Sequence, residues 1–375
     1  MNFTLSEKEI QLRKTAFSVG ESVNSLALSE KWKYAGSNGF LGLPIASEFK
    51  GLGLNAIETA IALEGFSEGC TDGGFTFSLA AHVLAGVIPV VKNASDEIKK
   101  RILQKVAEGN FILANAMTES GSGSDAFNLK TKAIVDGENF MLNGTKTFCT
   151  NAPIANGILV YAMTDETKGF FGGITCFLLE KEKHNYKVGN EIRKNGLHNS
   201  KMAEIFLNDV TVNKENIIGK IGSGAMIFLE SMNWERACMS AMHVGTMIRL
   251  CNKTRDYVKK RDVGRGAGDE GKLENFQAVQ FRLAEMFLQM ETSRLLAYKA
   301  VKKIDEGKDA IEICAKTKIF SSEALNKIAQ QAMILHGANG FTEAYGIGEI
   351  IADAQAALIY SGPNDVLRNL IASRL

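Results

Sequence analysis

The hydrophobic period of this chain changes twice, and that alone forbids a uniform architecture. Up to about residue 110 apolar side chains recur every three or four positions, as in 95–108, where Ile98, Ile102, Leu103 and Val106 would share one helix face. From Phe111 the pattern becomes short apolar or alternating runs at 111–117, 132–135, 140–142, 158–163, 174–179 and 204–207. Turn residues such as Asp136-Gly137-Glu138-Asn139 separate them, which predicts antiparallel strands. Near Gly224 helical spacing returns, in long segments at 224–260, 273–306 and 309–336 and in shorter ones after Gly346. The fold class read from this is α+β: an N-terminal helical domain over 1–110, a central antiparallel β domain over 111–222 and a C-terminal helical bundle over 223–375. The glycine-rich stretch 264–269 predicts a loop between the first two long helices.

Composition narrows the function classes. With 43 basic and 42 acidic side chains in 375 residues, no net field draws the molecule to nucleic acid or an anionic membrane. The start, Met-Asn-Phe-Thr-Leu-Ser-Glu-Lys-Glu-Ile, is polar where a signal peptide needs an apolar core, and no run of about 18 uncharged apolar residues is expected, so the reading is cytoplasmic. The six cysteines are scattered without a CxxC pair or a histidine at ligand spacing. They read as buried reduced thiols, with no metal site.

Three strings could carry chemistry. In Ala116-Met117-Thr118-Glu119-Ser120-Gly121-Ser122-Gly123-Ser124-Asp125-Ala126 a strand enters a loop of glycines and hydroxyls, either a surface turn or a loop whose N–H and O–H groups meet carbonyl or phosphate oxygens. It is neither a P-loop nor a GxGxxG motif. Along Asn143-Gly144-Thr145-Lys146-Thr147-Phe148-Cys149-Thr150-Asn151-Ala152, Phe148 and Thr150 share a strand face and would be either core or the wall of a flat heteroaromatic ring. In Glu230-Ser231-Met232-Asn233-Trp234-Glu235-Arg236-Ala237-Cys238-Met239-Ser240 a carboxylate and a guanidinium interrupt an apolar helix. A carboxylate in such surroundings is a general-base candidate; a helix-surface ion pair is the alternative. His82, alone on an apolar helix, reads as a hydrogen-bonded core residue.

In this order, these strings resemble the acyl-CoA dehydrogenase family of flavoproteins. The first is similar to its AxTExGSGSD flavin loop, the second to its NGxKxxITN strand, Leu335-His336-Gly337-Ala338-Asn339-Gly340-Phe341 to its GGNGF segment, and 42–53 to its GLPxxYGGxG-like stretch. The resemblance spans essentially the whole chain. It implies helical, β and helical domains, assembly as a homotetramer or homodimer, and FAD shared near subunit contacts. Met117, Thr118, Gly123 and Ser124 would then bind FAD, with Ser124 near the pyrophosphate, and Phe148 and Thr150 would line the isoalloxazine. Arg261, Gln277, Gly337 and Asn364 match further cofactor positions, whereas Ile334 stands for a glutamine and Pro363 for a threonine. The implied reaction removes an α proton from a thioester while hydride leaves the β carbon for the flavin.

Where many members carry a glutamate base in Tyr-Glu-Gly-Thr, this chain has Tyr360-Ser361-Gly362-Pro363. The resemblance therefore shifts the base to Glu235, as in the branch that includes isovaleryl-CoA dehydrogenase-like enzymes. Arg236, Tyr360, Ser361 and Gly362 would lie along the substrate. The strings at 77–82, 150–155, 231–235 and 360–365 are most similar to the prolyl-carrier-protein dehydrogenase and oxidase branch of pyrrole and alkaloid biosynthesis. That implies a carrier-protein partner bearing a prolyl phosphopantetheine thioester, with an electron-transfer flavoprotein or oxygen as acceptor. An ordinary acyl-CoA substrate, a non-thioester flavoprotein and a non-catalytic member of the fold stay open alternatives.

Overall fold

The computed structural model describes residues 4–264 and 271–375, so the predicted 264–269 loop, apart from Gly264, lies outside the described residues. Helix α1 (Glu7–Ser22) starts at Ser6, whose side chain caps the Glu9 N–H while the Glu9 carboxylate accepts the Ser6 N–H at 2.6 Å. After α2 (Leu28–Ser37), Asn55 and Glu58 repeat that reciprocal cap on α3 (Ala56–Gly69). Helix α4 (Gly73–Ala81) passes through a π-helical turn, His82–Val87, into α5 (Ile88–Asn93), and Ser95 caps α6 (Asp96–Ala107).

The segment Gly73–Asn93 corrects the expectation that no membrane-length apolar run exists, because by length and composition it is long and apolar enough. Its uncharged Thr76, Ser78 and His82 leave the apolar run unbroken. Of its most apolar window 89% is buried inside the protein, so it is a core helix.

The middle third forms one sheet from β1 (Leu113–Ala116), β2 (Lys132–Asp136), β3 (Asn139–Thr150), β4 (Gly157–Met163), β5 (Ile174–Glu180), β6 (Lys187–Val188), β7 (Met202–Asn213) and β8 (Ile217–Ile218). Short helix α7 (Phe170–Gly173) precedes β5. The order is β6-β7-β3-β2-β4-β5-β8, with β1 against β4. The antiparallel expectation holds for β2·β3, β3·β7, β4·β5, β5·β8 and β6·β7. It fails for β1, which pairs parallel with β4 from Leu113↔Gly157, and for the Lys132↔Met163 contact of β2 and β4. Strand β1 enters from the helical domain and reaches β4 only after the chain has crossed through β2 and β3, a connection that permits parallel pairing where a hairpin cannot. Strand β3 also continues through Gly144, past the predicted end at 142, with register shifts at Leu142/Gly144 and Lys146/Cys149.

The last third comprises α8 (Gly224–Lys260), α9 (Gln277–Asp305), α10 (Ile311–His336), α11 (Ile347–Ala357) and α12 (Asn364–Ala372). Trp234, Ala237, Cys238 and Ala241 of α8 share one apolar core with Phe66 of α3 and Phe75 and Leu79 of α4. At Gly245 a Cβ would lie 2.2 Å from the Glu64 carbonyl, so only glycine allows α8 to lie this close to α3. The six cysteines are free and buried, as expected. His82 is a core residue, its Nδ1 accepting the Leu113 N–H at 2.9 Å while burial lowers the ring's pKa to about 4.

Candidate active site

Glu235 lies about three turns into α8, on the face that continues through Met239 to Met242. The residue is 8% exposed, and burial raises its pKa above the ordinary value although the Ser361 hydroxyl and the charges of Arg236 and Lys318 pull the other way. This is not the surface ion pair held open as the alternative. Ser361 Oγ donates to Glu235 Oε1, and Arg236 Nε donates to the Ser361 carbonyl at 3.0 Å.

The turn between α11 and α12 delivers Ser361. Its φ of +56° lies in the left-handed region, followed by Gly362 at +94°. A side-chain-bearing residue keeps such a conformation only when its surroundings enforce it. Arg236 grips one side; on the other, Lys318 of α10 donates to the Gly362 carbonyl at 2.9 Å and to Asn364 Oδ1 at 2.8 Å. Asn364 Nδ2 in turn donates to Ser322 Oγ at 3.1 Å and Glu323 Oε1 at 3.2 Å. Tyr360 stacks on Phe77 with ring centroids 4.6 Å apart, and its hydroxyl meets His243 Nε2. Burial lowers the His243 pKa to about 3, so that ring is neutral.

A second group gathers on β3. Lys146, fully buried, donates to Glu119 Oε1 at 2.7 Å and to the Met117 carbonyl at 3.1 Å. Glu119 also accepts the N–H groups of Lys130 at 2.7 Å and Thr131 at 3.0 Å, so one carboxylate ties both ends of the glycine–serine loop. Burial opposes ionisation of Glu119, but the Lys146 charge and these donors prevail and hold its pKa below the carboxylate norm. The Thr147 N–H donates to the Thr118 carbonyl at 2.8 Å. Met117 is buried, while Gly123 and Ser124 are exposed at the loop's tip. Phe148, at φ +54° beside the register shift, is 59% exposed, which removes the core reading of its ring. Thr150, two positions on, is half-buried.

The two groups are joined. Asn151, next to Thr150, donates from Nδ2 to the Ser78 carbonyl at 2.9 Å, and the adjacent Phe77 is the ring stacked on Tyr360. These residues fit the expected flavin: Phe148 presents an open aromatic face, and the loop lines a pocket with Ser120, Gly121 and Lys130. Ser122 Oγ is buried there without a hydrogen-bond partner among the described residues.

Arg261, Gln277 and Gly337 stand apart. Arg261 follows Glu235 by 26 positions along α8, about 39 Å at 1.5 Å per residue. Its carbonyl accepts the Leu273 N–H just before Gln277 opens α9, and Tyr257 stacks at 4.1 Å on His336, the neighbour of Gly337. Arg261, Gln277 and Gly337 are all exposed. Sequence reasoning missed the roles of Lys318, His243, Lys146 and Glu119. The last two were visible inside singled-out strings, whereas Lys318 and His243 gave no local signal.

Three family models match consecutively: acyl-CoA dehydrogenase N-terminal domain over residues 8–110, middle domain over 114–210 and C-terminal domain over 222–375. A similar curated protein is the L-prolyl-[peptidyl-carrier protein] dehydrogenase of a Serratia species, 34% identical over 386 aligned positions, spanning 100% of this chain and 98% of the relative. Another, from Pseudomonas fluorescens and bearing the same name, is 36% identical over 92% of this chain and 90% of its own. Among solved structures, the FAD complex of PigA superposes with a TM-score of 0.94 at 34% identity, covering 100% of this chain and 99% of that one.

Proposed function

Because this chain belongs to the acyl-CoA dehydrogenase family, we propose that it is an FAD-dependent oxidoreductase that dehydrogenates a prolyl group held as a thioester on a peptidyl carrier protein. The observation that carries the chemistry is the buried Glu235, raised in basicity and held by Ser361. The relatives named prolyl-carrier-protein dehydrogenases, alike over at least nine-tenths of both chains, support the substrate.

Ser361 occupies Oε1 of Glu235 and leaves Oε2 to take the proton from the substrate Cα, which the thioester carbonyl acidifies. Bound FAD supplies the two-electron acceptor for the hydride lost by the ring carbon. The product is an unsaturated ring still attached to phosphopantetheine. Tyr360, Gly362 and Arg236 shape the substrate side of Glu235, while Met117, Thr118, Gly123, Ser124, Phe148 and Thr150 hold the cofactor. Asn364, whose Oδ1 accepts from Lys318 at 2.8 Å, belongs with the cofactor residues. Arg261, about 39 Å from the base along α8, serves with Gln277 and Gly337 the FAD of a second copy. A homotetramer or homodimer is supported by α9, where Phe281, Leu288 and Leu295 recur every seven residues and are exposed at 64, 61 and 46%. The domain limits 1–110, 111–222 and 223–375 and a cytoplasmic location complete the proposal; six buried free thiols suit a reducing compartment.

The test is anaerobic loss of yellow flavin absorbance on mixing with prolyl-carrier protein, beside a panel of acyl-CoA thioesters. Bleaching by the prolyl carrier alone is expected. Bleaching by an acyl-CoA alone assigns the enzyme to ordinary acyl oxidation and overturns the substrate. Glu235→Gln should stay yellow and lose bleaching; reduction at the parent rate removes Glu235 from the base role.

A further inference from the structure

Lysine is seldom fully buried without a carboxylate partner, yet Lys318 on α10 has no solvent exposure and spends its hydrogen bonds on a carbonyl and an amide oxygen. Both acceptors lie in the turn just after Ser361, the residue whose hydroxyl holds the base. The Gly362 carbonyl is 2.9 Å from Nζ, Asn364 Oδ1 is 2.8 Å away, and the Tyr360 ring centroid lies 6.0 Å from Nζ. Lys318 thus holds the turn through Gly362 and Asn364, on the side opposite the Arg236 bond to the Ser361 carbonyl.

We propose that Lys318 is a positioning residue for the oxidation: its ammonium fixes the Tyr360–Asn364 turn so that Ser361 meets Glu235, and its charge favours the Glu235 carboxylate. The proposal rests on Glu235 being the base. Each group around the carboxylate has a defined sign. From its own helix Arg236 contributes a positive charge, from α10 Lys318 a second, and from the turn Ser361 a hydroxyl donor, all favouring the anion, while burial opposes it. Tyr161 on β4 and Tyr360 sense the carboxylate from the other sides, and both phenols are held neutral by burial. Around Lys318 itself stand Arg236 and neutral His243 of α8, Glu323 of α10, and Tyr360 and Asn364. Arg236 repels it and Glu235 and Glu323 attract it; burial dominates and brings its pKa to about 7. A lysine kept in a site that disfavours its charge needs a reason beyond stability, since a buried ionic group is weak evidence for stabilisation.

The experiment is single-turnover flavin reduction by whichever thioester bleaches the parent, followed from acid to neutral pH in Lys318→Met, Lys318→Gln and Lys318→Arg holoenzymes, with Glu235→Gln as control. In both neutral variants the acidic limb should move to higher pH by about one unit or more, because Glu235 loses a nearby cation. The neutral-pH rate should fall on the order of ten- to a hundredfold. Lys318→Arg should keep the limb near its parental position. An unmoved limb in the neutral variants overturns the proposal. Loss of flavin from both neutral variants while Lys318→Arg stays intact assigns Lys318 to folding and also overturns it. If Glu235→Gln still reduces flavin, the base assignment has failed instead.

Discussion

Replacing Lys146 by methionine tests whether the glycine–serine loop is held by charge. The parent pair is 2.7 Å from Nζ to Oε1, with Lys146 fully buried and Glu119 5% exposed. At an effective dielectric of about 20 the Coulomb attraction at this distance is about 6 kcal/mol, offset by the desolvation of both ions. Methionine keeps the volume and removes the charge, leaving Glu119 buried with only the Lys130 and Thr131 N–H donors. Stranding one member of such a pair costs about 3–5 kcal/mol.

Urea unfolding should show that loss in midpoint at an unchanged slope, and the isolated protein should carry substoichiometric flavin, because the loop from Glu119 to Lys130 has lost its clamp. Glu119→Gln strands the lysine in the same way. The double variant Glu119→Gln/Lys146→Met should therefore be at least about 2 kcal/mol more stable than the sum of the single effects predicts, since neither charge is left alone. A Lys146→Met variant within about 1 kcal/mol of the parent, with full flavin, would refute the clamp.

The same pair sets an acid limit. Glu119 titrates below its unfolded value of about 4.3, so its stabilisation is complete above that pH and is lost as pH falls through the lower folded value. Urea midpoints at successive pH values should drop below about pH 4, and that drop should vanish or reverse in Lys146→Met, where protonation relieves the stranded Glu119 carboxylate. Leu288→Asp places a charge in the middle of the exposed α9 stripe and should shift the assembly toward smaller species by light scattering while lowering flavin content. An unchanged mass with full flavin would separate that stripe from subunit contact.

Periodicity finds helices most cleanly where one face is buried, as in α6, and α6 and α8 begin and end close to where their apolar spacing does. It could not reveal that β1 runs parallel to β4, since the partner of a strand is settled by long-range packing. Nor could it reveal the ion pair, because Lys146 and Glu119 stand 27 positions apart and meet only when β3 is laid against the loop. The Gly73–Asn93 core helix was likewise overlooked: it is long and apolar enough to cross a membrane, a run that sequence reasoning did not count, and 89% of its most apolar window is buried in the protein.

The residue that seemed to disqualify the chain is the most informative one. Serine at 361 cannot be a base at neutral pH, and by sequence it reads as a lost carboxylate. In space, Ser361 and Glu235 are hydrogen-bonded, so the turn after α11 and the third turn of α8 reach the same point from opposite sides. A carboxylate carried by either backbone can serve that point, but not both together, because two like charges at hydrogen-bonding distance would force one to stay protonated. With the carboxylate on α8, the turn is left to contribute a small donor, and serine at φ +56° supplies it. The departure at 361 and the glutamate at 235 are therefore one structural choice, and the lysine beneath the turn is what it rests on.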